Sequence, residues 1–365
     1  MKYYIISGEP SGDLHGSNLL KSIKELDNSA KFRGMGGDLM KAQGLLLLKH
    51  ISDFSVMGFV EVIKKLPSIF KLIKSVKTDI LNFRPDVVVL IDYPGFNMKI
   101  AKFAKENGFK VIYYIPPKVW AWNTKRALKL KKYCDHILTI LPFETDFYKS
   151  YGIKNQYVGN PTFDQLHDFK PQALSNNNLT HKKSLVALLP GSRKMELKNM
   201  LPLMNEVSKY FPNRGFVICG APGFTAKDYK DFGTEIPVLF DKTYDILASA
   251  DAALVASGTA TLETALLNCP QVVLYRASPI SIYIGRLVIK VKFISLVNLI
   301  LNKMAIPELI QQDCETESVR NHLQKILTSK SLIDEQKKFY AEMKELLGKP
   351  GCNRNAAKII VDSIS

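Results

Sequence analysis

The sequence predicts an α/β fold in which two parallel-sheet domains follow one another along the chain. Short apolar runs alternate with longer amphipathic segments in the first half, and the same alternation begins again near residue 184. Strands separated by helices are typical of βαβ units and therefore of parallel sheets. A polar segment at 168–183, which contains three consecutive asparagines, separates the halves and predicts a linker.

In the first half, the apolar runs predict strands and the amphipathic stretches predict helices. The predicted strands are Lys2–Ser7, Asp86–Ile91, Lys110–Ile115 and Ile137–Leu141, and the predicted helices are Ser17–Leu26, Val60–Leu81 and Asn97–Asn107. We expect an N-terminal domain over residues 1–167.

The second half predicts a C-terminal domain over 184–347, followed by a tail over 348–365. Its predicted elements are the strands Ser184–Leu189, Phe216–Cys219, Val238–Phe240, Ala252–Ala256 and Gln271–Leu274 and the helices Ser331–Leu347 and Asn355–Ile364. Two such domains are expected to leave a cleft between the carboxyl ends of their sheets, where ligands bind.

The chain is basic, with 50 Lys and Arg against 34 Asp and Glu and a net charge of +16. Such a surface attracts nucleic acid, anionic lipid headgroups or phosphorylated substrates. Five scattered cysteines indicate a reducing compartment. The N-terminus is typical of a strand rather than of a signal peptide, and we find no apolar run of the roughly 20 residues that span a bilayer. We expect a cytoplasmic protein that lies on a membrane at most.

The turn after the first predicted strand, residues 8–16, is rich in glycine and carries polar side chains. Its glycines let the backbone come close to a ligand just before a helix N-terminus. The spacing fits neither the dinucleotide fingerprint G-x-G-x-x-G nor a P-loop. The candidates here are Ser11, Gly12, Asp13 and His15, and the alternative is a plain turn in which Asp13 caps the helix.

A carboxylate follows the apolar strand that ends at Ile91. Asp92 lies where catalytic groups collect in parallel sheets, and burial there would raise its pKa toward the working range of a general base. The alternative is that Asp92 or Asn97 only caps the next helix. Trp120 and Trp122 follow the next strand, and they predict either an acyl or sugar pocket or plain core packing.

Two turns of the second half combine small residues with a strand before and a helix after. Gly191, Ser192 and Arg193 offer backbone amides and a guanidinium to a diphosphate. The turn at 257–260 admits a phosphate to the backbone, and Glu263 follows one helical turn later, where a carboxylate can accept from ribose hydroxyls. The alternatives are an ordinary turn with a surface arginine and an acid favoured by the helix dipole.

Residues 57–77 combine apolar positions near helical spacing with five lysines and one acid. This composition is typical of a helix that lies in an anionic membrane interface, or of a solvated face over a core. The chain lacks the H-E-x-x-H, Asp-x-Asp and G-x-S-x-G motifs, and its six histidines never fall at ligand spacing. We therefore expect neither a metal ion nor a cofactor.

Eight segments together resemble the lipid-A-disaccharide synthases, a family of inverting glycosyltransferases of the GT-B type. They cover nearly the whole chain in the family's order: GEPSGDLHG (8–16), MGFVEV (57–62), IDYPGFN (91–97), PPKVWAW (116–122), LPFE (141–144), LPGSRKMEL (189–197), SGTATLE (257–263) and LVNLI (296–300). The resemblance implies two Rossmann-like domains that face a cleft, with a C-terminal helix that returns to the first domain.

The resemblance also implies an activity. The enzyme would be a hexosyltransferase of lipid A biosynthesis that joins UDP-2,3-diacylglucosamine to 2,3-diacylglucosamine 1-phosphate through a β-1,6 bond, without a metal. It would attach peripherally to the cytoplasmic face of the inner membrane, in part through 57–77, and could form homodimers that exchange C-terminal segments. Asp92 matches the family's candidate base, with His15 or Asp13 as substitutes. The candidate substrate-binding residues are Ser11, Gly12, Asn97, Trp120, Ser192, Arg193, Ser257, Gly258, Thr259, Ala260, Glu263 and Asn298.

Two other interpretations stay open. Another UDP-sugar enzyme of the GT-B type, such as a MurG-like transferase or a UDP-N-acetylglucosamine 2-epimerase, would share the turns described above. Product analysis separates an epimerase, which releases no disaccharide. A nucleic-acid-binding protein would explain the charge, but the chain contains no recognised binding module, so we expect no nucleic-acid partner.

Overall fold

The computed structural model describes residues 1–53, 66–122, 124, 126–174, 184–276 and 291–365. These residues form two compact units. The first unit contains Met1–Pro161 together with Lys349–Ser365, and the second contains Thr162–Gly348. Most of the predicted linker, 175–183, and the first part of the predicted basic helix, 57–65, lie outside the described residues.

Within the described ranges, the first unit contains a parallel sheet of seven strands in the order β3-β2-β1-β4-β5-β6-β7. The strands are β1 (Lys2–Ser7), β2 (Lys31–Gly36), β3 (Leu45–His50), β4 (Val87–Ile91), β5 (Lys110–Tyr114), β6 (His136–Thr139) and β7 (Asn155–Tyr157). The helices are α1 (Pro10–Leu26), α2 (Asp38–Ala42), α3 (Leu66–Phe83), α4 (Pro94–Glu106), α5 (Val119–Trp122), α6 (Arg126–Tyr133) and α7 (Glu144–Ser150), and a 3-10 helix covers Ile51–Asp53.

The second unit contains, over its described residues, a parallel sheet of six strands in the order β10-β9-β8-β11-β12-β13. The strands are β8 (Leu185–Leu189), β9 (Gly215–Gly220), β10 (Val238–Phe240), β11 (Ala252–Ala256), β12 (Gln271–Tyr275) and β13 (Glu308–Ile310). The helices are α8 (Pro161–His167), α9 (Lys194–Lys209), α10 (Ala226–Asp231), α11 (Thr243–Ser249), α12 (Ala260–Leu266), α13 (Leu296–Leu301), α14 (Thr316–Thr328) and α15 (Lys330–Leu347), and a 3-10 helix covers Gln311–Asp313.

The predicted α/β class with two parallel sheets is confirmed. Each predicted strand is present. Most of them are central strands, which are buried on both faces and are therefore continuous apolar runs, whereas β10 is an edge strand that is only partly buried. Four strands escaped prediction: β2, β3, β7 and β13. β2 (KFRGMG) contains two basic residues and two glycines, and the three-residue strands β7 (NQY) and β13 (ELI) contain polar side chains, so none of these three is an apolar run. β3 (LLLLKH) does begin with an apolar run, which the prediction did not include.

The last helix, α16 (Cys352–Asp362), packs on the first unit. Its buried residues Ala356 and Ile360 share a core with Leu19 and Ile23 of α1. The Asn355 side chain donates to the carbonyl oxygen of Val158 at 3.1 Å. The helix therefore completes one face of the first sheet.

The two sheets share a feature that determines where a ligand can bind. The strand order reverses between β1 and β4 in the first sheet and between β8 and β11 in the second. At such a switch point, the connections on either side leave in opposite directions, and a crevice opens at the carboxyl ends of the strands. The turns that follow these four strands therefore border the two crevices.

Candidate functional site

The sequence motifs of the first half follow four adjacent strands. β1 pairs with β4, β4 with β5, and β5 with β6, all in parallel. The turn at 8–9 follows β1, Asp92 follows β4, and 115–118 and 140–143 follow β5 and β6. The fold thus brings the predicted glycine-rich turn, the predicted base and the tryptophan segment to one edge of the first sheet.

Asp92 lies at this edge in a conformation that is uncommon for a residue other than glycine. Its φ is 45° and that of Tyr93 is 49°, so two consecutive residues occupy the left-handed region. Residues held in such regions cluster at functional sites, where the surrounding structure maintains the strain. The Asp92 carbonyl oxygen accepts hydrogen bonds from Asn97 Nδ2 at 2.8 Å and from the Tyr113 hydroxyl at 2.6 Å.

The carboxyl group of Asp92 has a raised pKa. Burial is the main cause, and the negative charge of Glu9 raises the pKa further. The ammonium group of Lys118 and the backbone amide of Tyr93 offset part of this rise. Asp92, Glu9 and Lys118 follow β4, β1 and β5, so the strand order itself places them together. A carboxylate with a raised pKa suits a general base better than an ordinary aspartate does.

Gly8 is required by the neighbouring turn. A Cβ atom added at Gly8 would lie 2.3 Å from the ring of Tyr93, which stacks on Phe96 at 5.4 Å between ring centroids. Any side chain at this position would clash with the ring of Tyr93, the second of the two left-handed residues. The glycine that the sequence attributes to ligand approach therefore also has a packing role.

Asp13 makes structural contacts in the first unit. Its carboxylate accepts from the backbone amides of Gly37 at 2.7 Å, Met40 at 3.1 Å and Leu39 at 3.1 Å. It therefore caps the first turn of α2 rather than its own helix. This role differs from both sequence alternatives, a catalytic group and a cap of α1.

His15, Gly12 and Ser11 lie on α1 and differ in their burial. Burial lowers the pKa of His15 to about 4, so the imidazole is neutral near pH 7. Gly12 is buried, and a Cβ there would lie 2.4 Å from the Ser7 hydroxyl. Ser11 is exposed in the first turn of the helix. Of these residues, Ser11 is exposed, His15 is half-buried and Gly12 is buried.

Trp120 is buried and bonded rather than free to line an open pocket. Its indole Nε1 donates to Glu144 Oε1 at 2.9 Å, and its ring lies edge-on to Phe143 at 4.9 Å. Glu144 Oε2 accepts from the amides of Leu141 at 3.1 Å and Ile140 at 3.3 Å. The side chain of Trp122 lies outside the described residues. Trp120 thus joins the turns that follow β5 and β6.

In the turn after β8, the carboxylate of Glu196 binds the donors that the sequence predicts for a diphosphate. Glu196 Oε2 accepts from the amides of Ser192 at 2.8 Å and Arg193 at 3.2 Å, and Glu196 Oε1 accepts from the Arg193 guanidinium at 3.1 Å. Gly191 has a φ of 112°, and a Cβ there would lie 2.4 Å from Glu196 Oε2. The amides that we predicted to face a diphosphate therefore bind the Glu196 carboxylate in this structure.

The turn after β11 is more open. Gly258 and Thr259 are exposed, and a Cβ added at Gly258 would meet no atom within 4 Å. The Ser257 hydroxyl donates to the Ile294 carbonyl at 2.9 Å, and helix α12 begins at Ala260. Because β11 pairs with β8, this turn lies beside the Arg193 turn at the second switch point.

Glu263 lies in α12, behind that turn. Burial raises its pKa, and the Tyr244 hydroxyl, which donates to Glu263 Oε1 at 3.0 Å, offsets part of the rise. The Tyr244 ring lies edge-on to Phe169 at 5.6 Å. The Tyr244 hydroxyl therefore fixes the position of one carboxylate oxygen of Glu263, Oε1.

Asn298 makes internal hydrogen bonds. Its Oδ1 accepts from the amides of Ala305 at 2.8 Å and Ile306 at 3.0 Å, and its Nδ2 donates to the Ile306 carbonyl at 2.9 Å and to Glu308 Oε1 at 2.8 Å. The residue is fully buried. These bonds give it a structural role in the loop before β13, whereas the resemblance implies contact with substrate.

Sequence reasoning missed the roles of Tyr113, Glu144, Glu196 and Tyr244. Glu196 stands three residues after Arg193, which is the spacing of a capping box, so a local signal existed. Tyr113 and Tyr244 carry no such signal, since their hydroxyls meet partners that are distant in sequence. Only the fold identifies them.

Two structural features are absent from the described residues. Over the described ranges, no group of three or more His, Cys, Asp or Glu side chains is arranged to hold a metal ion. In the same part of the chain, no helix has both the length and the apolar character needed to cross a bilayer.

Comparison with known proteins gives consistent results. A family model described as Lipid-A-disaccharide synthetase matches residues 3–361. A relative named lipid-A-disaccharide synthase, from Geobacter metallireducens, is 35% identical over 370 residues, covering 99% of this chain and 96% of the relative.

Solved structures show the same fold at low identity. The S. aureus MnaA–UDP co-structure is similar with a TM-score of 0.68 and 12% identity, covering 100% of this chain and 95% of that chain. The glycosyltransferase of kitacinnamycin is similar with a TM-score of 0.65 and 13% identity, covering 100% and 99%. These likenesses concern the fold alone, and they confirm the predicted GT-B class with two Rossmann-like sheets.

The buried Glu144 generates a prediction about pH and stability. Burial raises its pKa to about 7 against the donors Trp120, Leu141 and Ile140 and the charge of Lys118. Between pH 4.5 and about 7, Glu144 is therefore protonated in the folded state and ionised in the unfolded state. The bound proton stabilises the folded state; this stabilisation is complete below the ordinary pKa of 4.5 and is lost as pH rises through 7. In Glu144→Gln this pH dependence should disappear. Between pH 5 and 8, the free energy of unfolding of the wild type should fall relative to the variant by no more than about 3 kcal/mol.

Urea unfolding followed by tryptophan fluorescence measures this difference, because both tryptophans of the chain, Trp120 and Trp122, lie in this segment. The matched control is Glu317→Gln, whose side chain is 82% exposed and which should follow the wild type at each pH. Parallel pH curves for the wild type and Glu144→Gln would show that the carboxyl group is ionised in the folded state.

Proposed function

Because the chain belongs to the lipid-A-disaccharide synthetase family, we propose that it transfers a diacylated glucosamine from UDP to the 6-hydroxyl of 2,3-diacylglucosamine 1-phosphate. The proposed donor is UDP-2,3-diacylglucosamine, and the products are a β-1,6-linked disaccharide 1-phosphate and UDP. The observation that carries this proposal is the family match over residues 3–361. The transfer belongs to lipid A biosynthesis.

The reaction is proposed as a single displacement with inversion. The acceptor 6-oxygen forms a bond to the anomeric carbon of the donor while the bond from that carbon to the diphosphate oxygen breaks. The hydroxyl proton passes to Asp92, whose raised pKa and place at the first switch point support this role. Asp13 is a weaker candidate because three backbone amides already bind its carboxylate.

We propose that the second unit holds UDP. The Ser192–Arg193 turn and the turn at 257–260 offer amides and a guanidinium to the leaving diphosphate, which stabilise the charge that develops there. Glu263 is proposed to accept from the ribose hydroxyls. The proposal needs no metal ion, since protein donors serve the diphosphate, and activity that survives chelation with EDTA would agree with it.

Asp92→Asn should reduce turnover by a factor of about 10² or more, because the amide cannot take the acceptor proton. Its affinity for UDP should stay within about twofold of the wild type. The assay incubates the purified protein with both lipid substrates and detects UDP and disaccharide. The matched control is Asp86→Asn, at the other end of the same strand, where the carboxylate accepts from the Lys2 amide. An Asp92→Asn enzyme with wild-type turnover would remove Asp92 from the mechanism.

Glu196 gives a second test of the donor site. A diphosphate at the Ser192–Arg193 turn must displace the Glu196 carboxylate, because two anions cannot share the same amides. Glu196→Gln replaces the charge with a weaker acceptor, so UDP should bind about fivefold more tightly, which corresponds to about 1 kcal/mol.

Isothermal titration calorimetry with UDP measures this change. Glu206→Gln is the matched control, since Glu206 is on the same helix and pairs with Lys209 at 2.8 Å. Equal or weaker UDP binding by Glu196→Gln would place the diphosphate elsewhere.

The acceptor and the donor carry acyl chains, and we propose that the first unit meets an anionic membrane surface. The described part of the predicted segment 57–77 belongs to α3, where Phe70 is 57% exposed. Lys99 Nζ lies 4.5 Å from the centre of the Phe70 ring, and Lys77 Nζ lies 4.9 Å from that of Phe103. A shallow cavity of about 330 Å³ lies between α3 and α4, lined by Phe70, Ile73, Lys77, Lys99, Lys102, Phe103 and Glu106. Exposed aromatic surface ringed by lysines suits an anionic interface.

Reversing two of these charges tests the membrane proposal. Lys99→Glu/Lys102→Glu should weaken binding to vesicles that contain phosphatidylglycerol by a factor of about ten or more, because each basic residue contributes about 1 kcal/mol at an anionic surface. Co-sedimentation measures the bound fraction. The control Lys227→Glu/Lys230→Glu makes the same change of charge on α10 of the second unit. Equal losses in both variants would indicate attraction by net charge alone.

Attachment to the inner membrane and formation of a dimer stay predictions. Analytical ultracentrifugation would test whether the protein forms a dimer.

A further inference from the structure

The backbone at Asp92 is held by two side chains that donate to its carbonyl oxygen. The carbonyl oxygen of Asp92 accepts from the Tyr113 hydroxyl at 2.6 Å and from Asn97 Nδ2 at 2.8 Å. Asn97 Nδ2 also lies 3.2 Å from the Ile91 carbonyl oxygen. Tyr113 comes from the neighbouring strand β5, whereas Asn97 comes from the first turn of α4. The carbonyl is therefore fixed from two directions.

This fixation matters because the conformation is unfavourable without it. Asp92 and Tyr93 both have φ near 47°, with values of 45° and 49°. Residues with a Cβ seldom adopt this region, and two in succession are rarer still. The orientation of the peptide between Asp92 and Tyr93 also fixes the direction of the Cα–Cβ bond of Asp92. Donors to the Asp92 carbonyl thus hold in place the backbone from which the carboxyl group extends.

We propose that Tyr113 is a positioning residue that aims the Asp92 carboxylate at the acceptor hydroxyl, with Asn97 as its partner. The inference rests on the proposed function, since it assumes that Asp92 is the base. Tyr113 touches neither substrate nor the Asp92 carboxylate in this role. It acts through the backbone alone.

Tyr113 is suited to this role by its surroundings. It is fully buried in the core beneath α4, with Phe96 and Ile100. Burial, together with the nearby charge of Asp92, holds the pKa of Tyr113 well above its usual value. Its hydroxyl therefore remains a donor over the whole working range of pH.

The adjacent residue provides a matched control. Tyr114 is equally buried, but it points to the opposite face of the sheet, where it belongs to the core that includes α16. Its hydroxyl lies 3.3 Å from Asn353 Oδ1 and 3.4 Å from Cys352 Sγ. Tyr114→Phe removes a buried hydroxyl from the same strand without reaching Asp92.

The experiment compares kcat, KM and UDP affinity in Tyr113→Phe and Tyr114→Phe. Tyr113→Phe should lower kcat between about tenfold and a hundredfold, the range expected when a catalytic group is displaced by about 1 Å. Its KM and its calorimetric affinity for UDP should stay within about twofold of the wild type. Tyr114→Phe should keep kcat within about twofold. A loss of only a structural bond would instead change stability in both variants and leave kcat of the folded fraction unchanged.

Asn97→Ala removes the second donor and should show the same selective loss of kcat, which keeps the test available if Tyr113→Phe folds poorly. The double variant Asp92→Asn/Tyr113→Phe should be no slower than Asp92→Asn, because Tyr113 acts only through that carboxylate. Tyr113→Phe with wild-type kcat, or a further loss in the double variant, would overturn this inference. An active Asp92→Asn enzyme would instead overturn the proposed base itself, so the two failures are distinguishable.

Discussion

The structure depends on parallel pairing between strands that are distant in sequence. β1 pairs with β4 so that Ser7 lies opposite Ile91, and β8 pairs with β11 so that Leu189 lies opposite Val255. Each pairing places two strand-to-helix turns side by side at the carboxyl edge of a sheet. In the first sheet these turns contain Gly8 and Asp92, and in the second they contain Arg193 and the segment 257–260. The candidate chemistry follows from this arrangement.

Asp13, Glu196 and Asp92 each lie near a strand-to-helix turn, but the groups around each carboxylate give it a different role. Asp13 binds three backbone amides of α2, and Glu196 binds two amides and the guanidinium of its own turn. At Asp92, by contrast, the donors Tyr113 and Asn97 bind the backbone carbonyl, and burial raises the pKa of the carboxyl group although the Tyr93 amide lowers it in part. Carboxylates satisfied by amides stabilise turns, whereas a desolvated one is available for proton transfer. This contrast is the physical basis for preferring Asp92.

Much of the fold could be predicted from the sequence, because buried parallel strands and amphipathic helices leave strong periodic signals. The weak strands could not: β2 contains two glycines and two basic residues, and β7 has three residues. The predicted positions of Asp92 and the turns were sound, since they depend only on following a strand. The hydrogen-bond partners of Asp13 could not be predicted, because only the folded chain brings α2 close to it. Those of Asn298 lie in the irregular loop before β13, which has no periodic signal. The contact between the Tyr113 hydroxyl and the Asp92 carbonyl could not be predicted either, because these residues are distant in sequence.

The proposed chemistry depends on Asp92 being a desolvated carboxyl group with a raised pKa at the switch point of the first sheet. Infrared difference spectra between the wild type and Asp92→Asn, recorded across a pH titration, isolate the carboxylate band of this residue. We predict that the band titrates at a pKa above the ordinary value of 3.8. Titration at or below 3.8 would contradict the account.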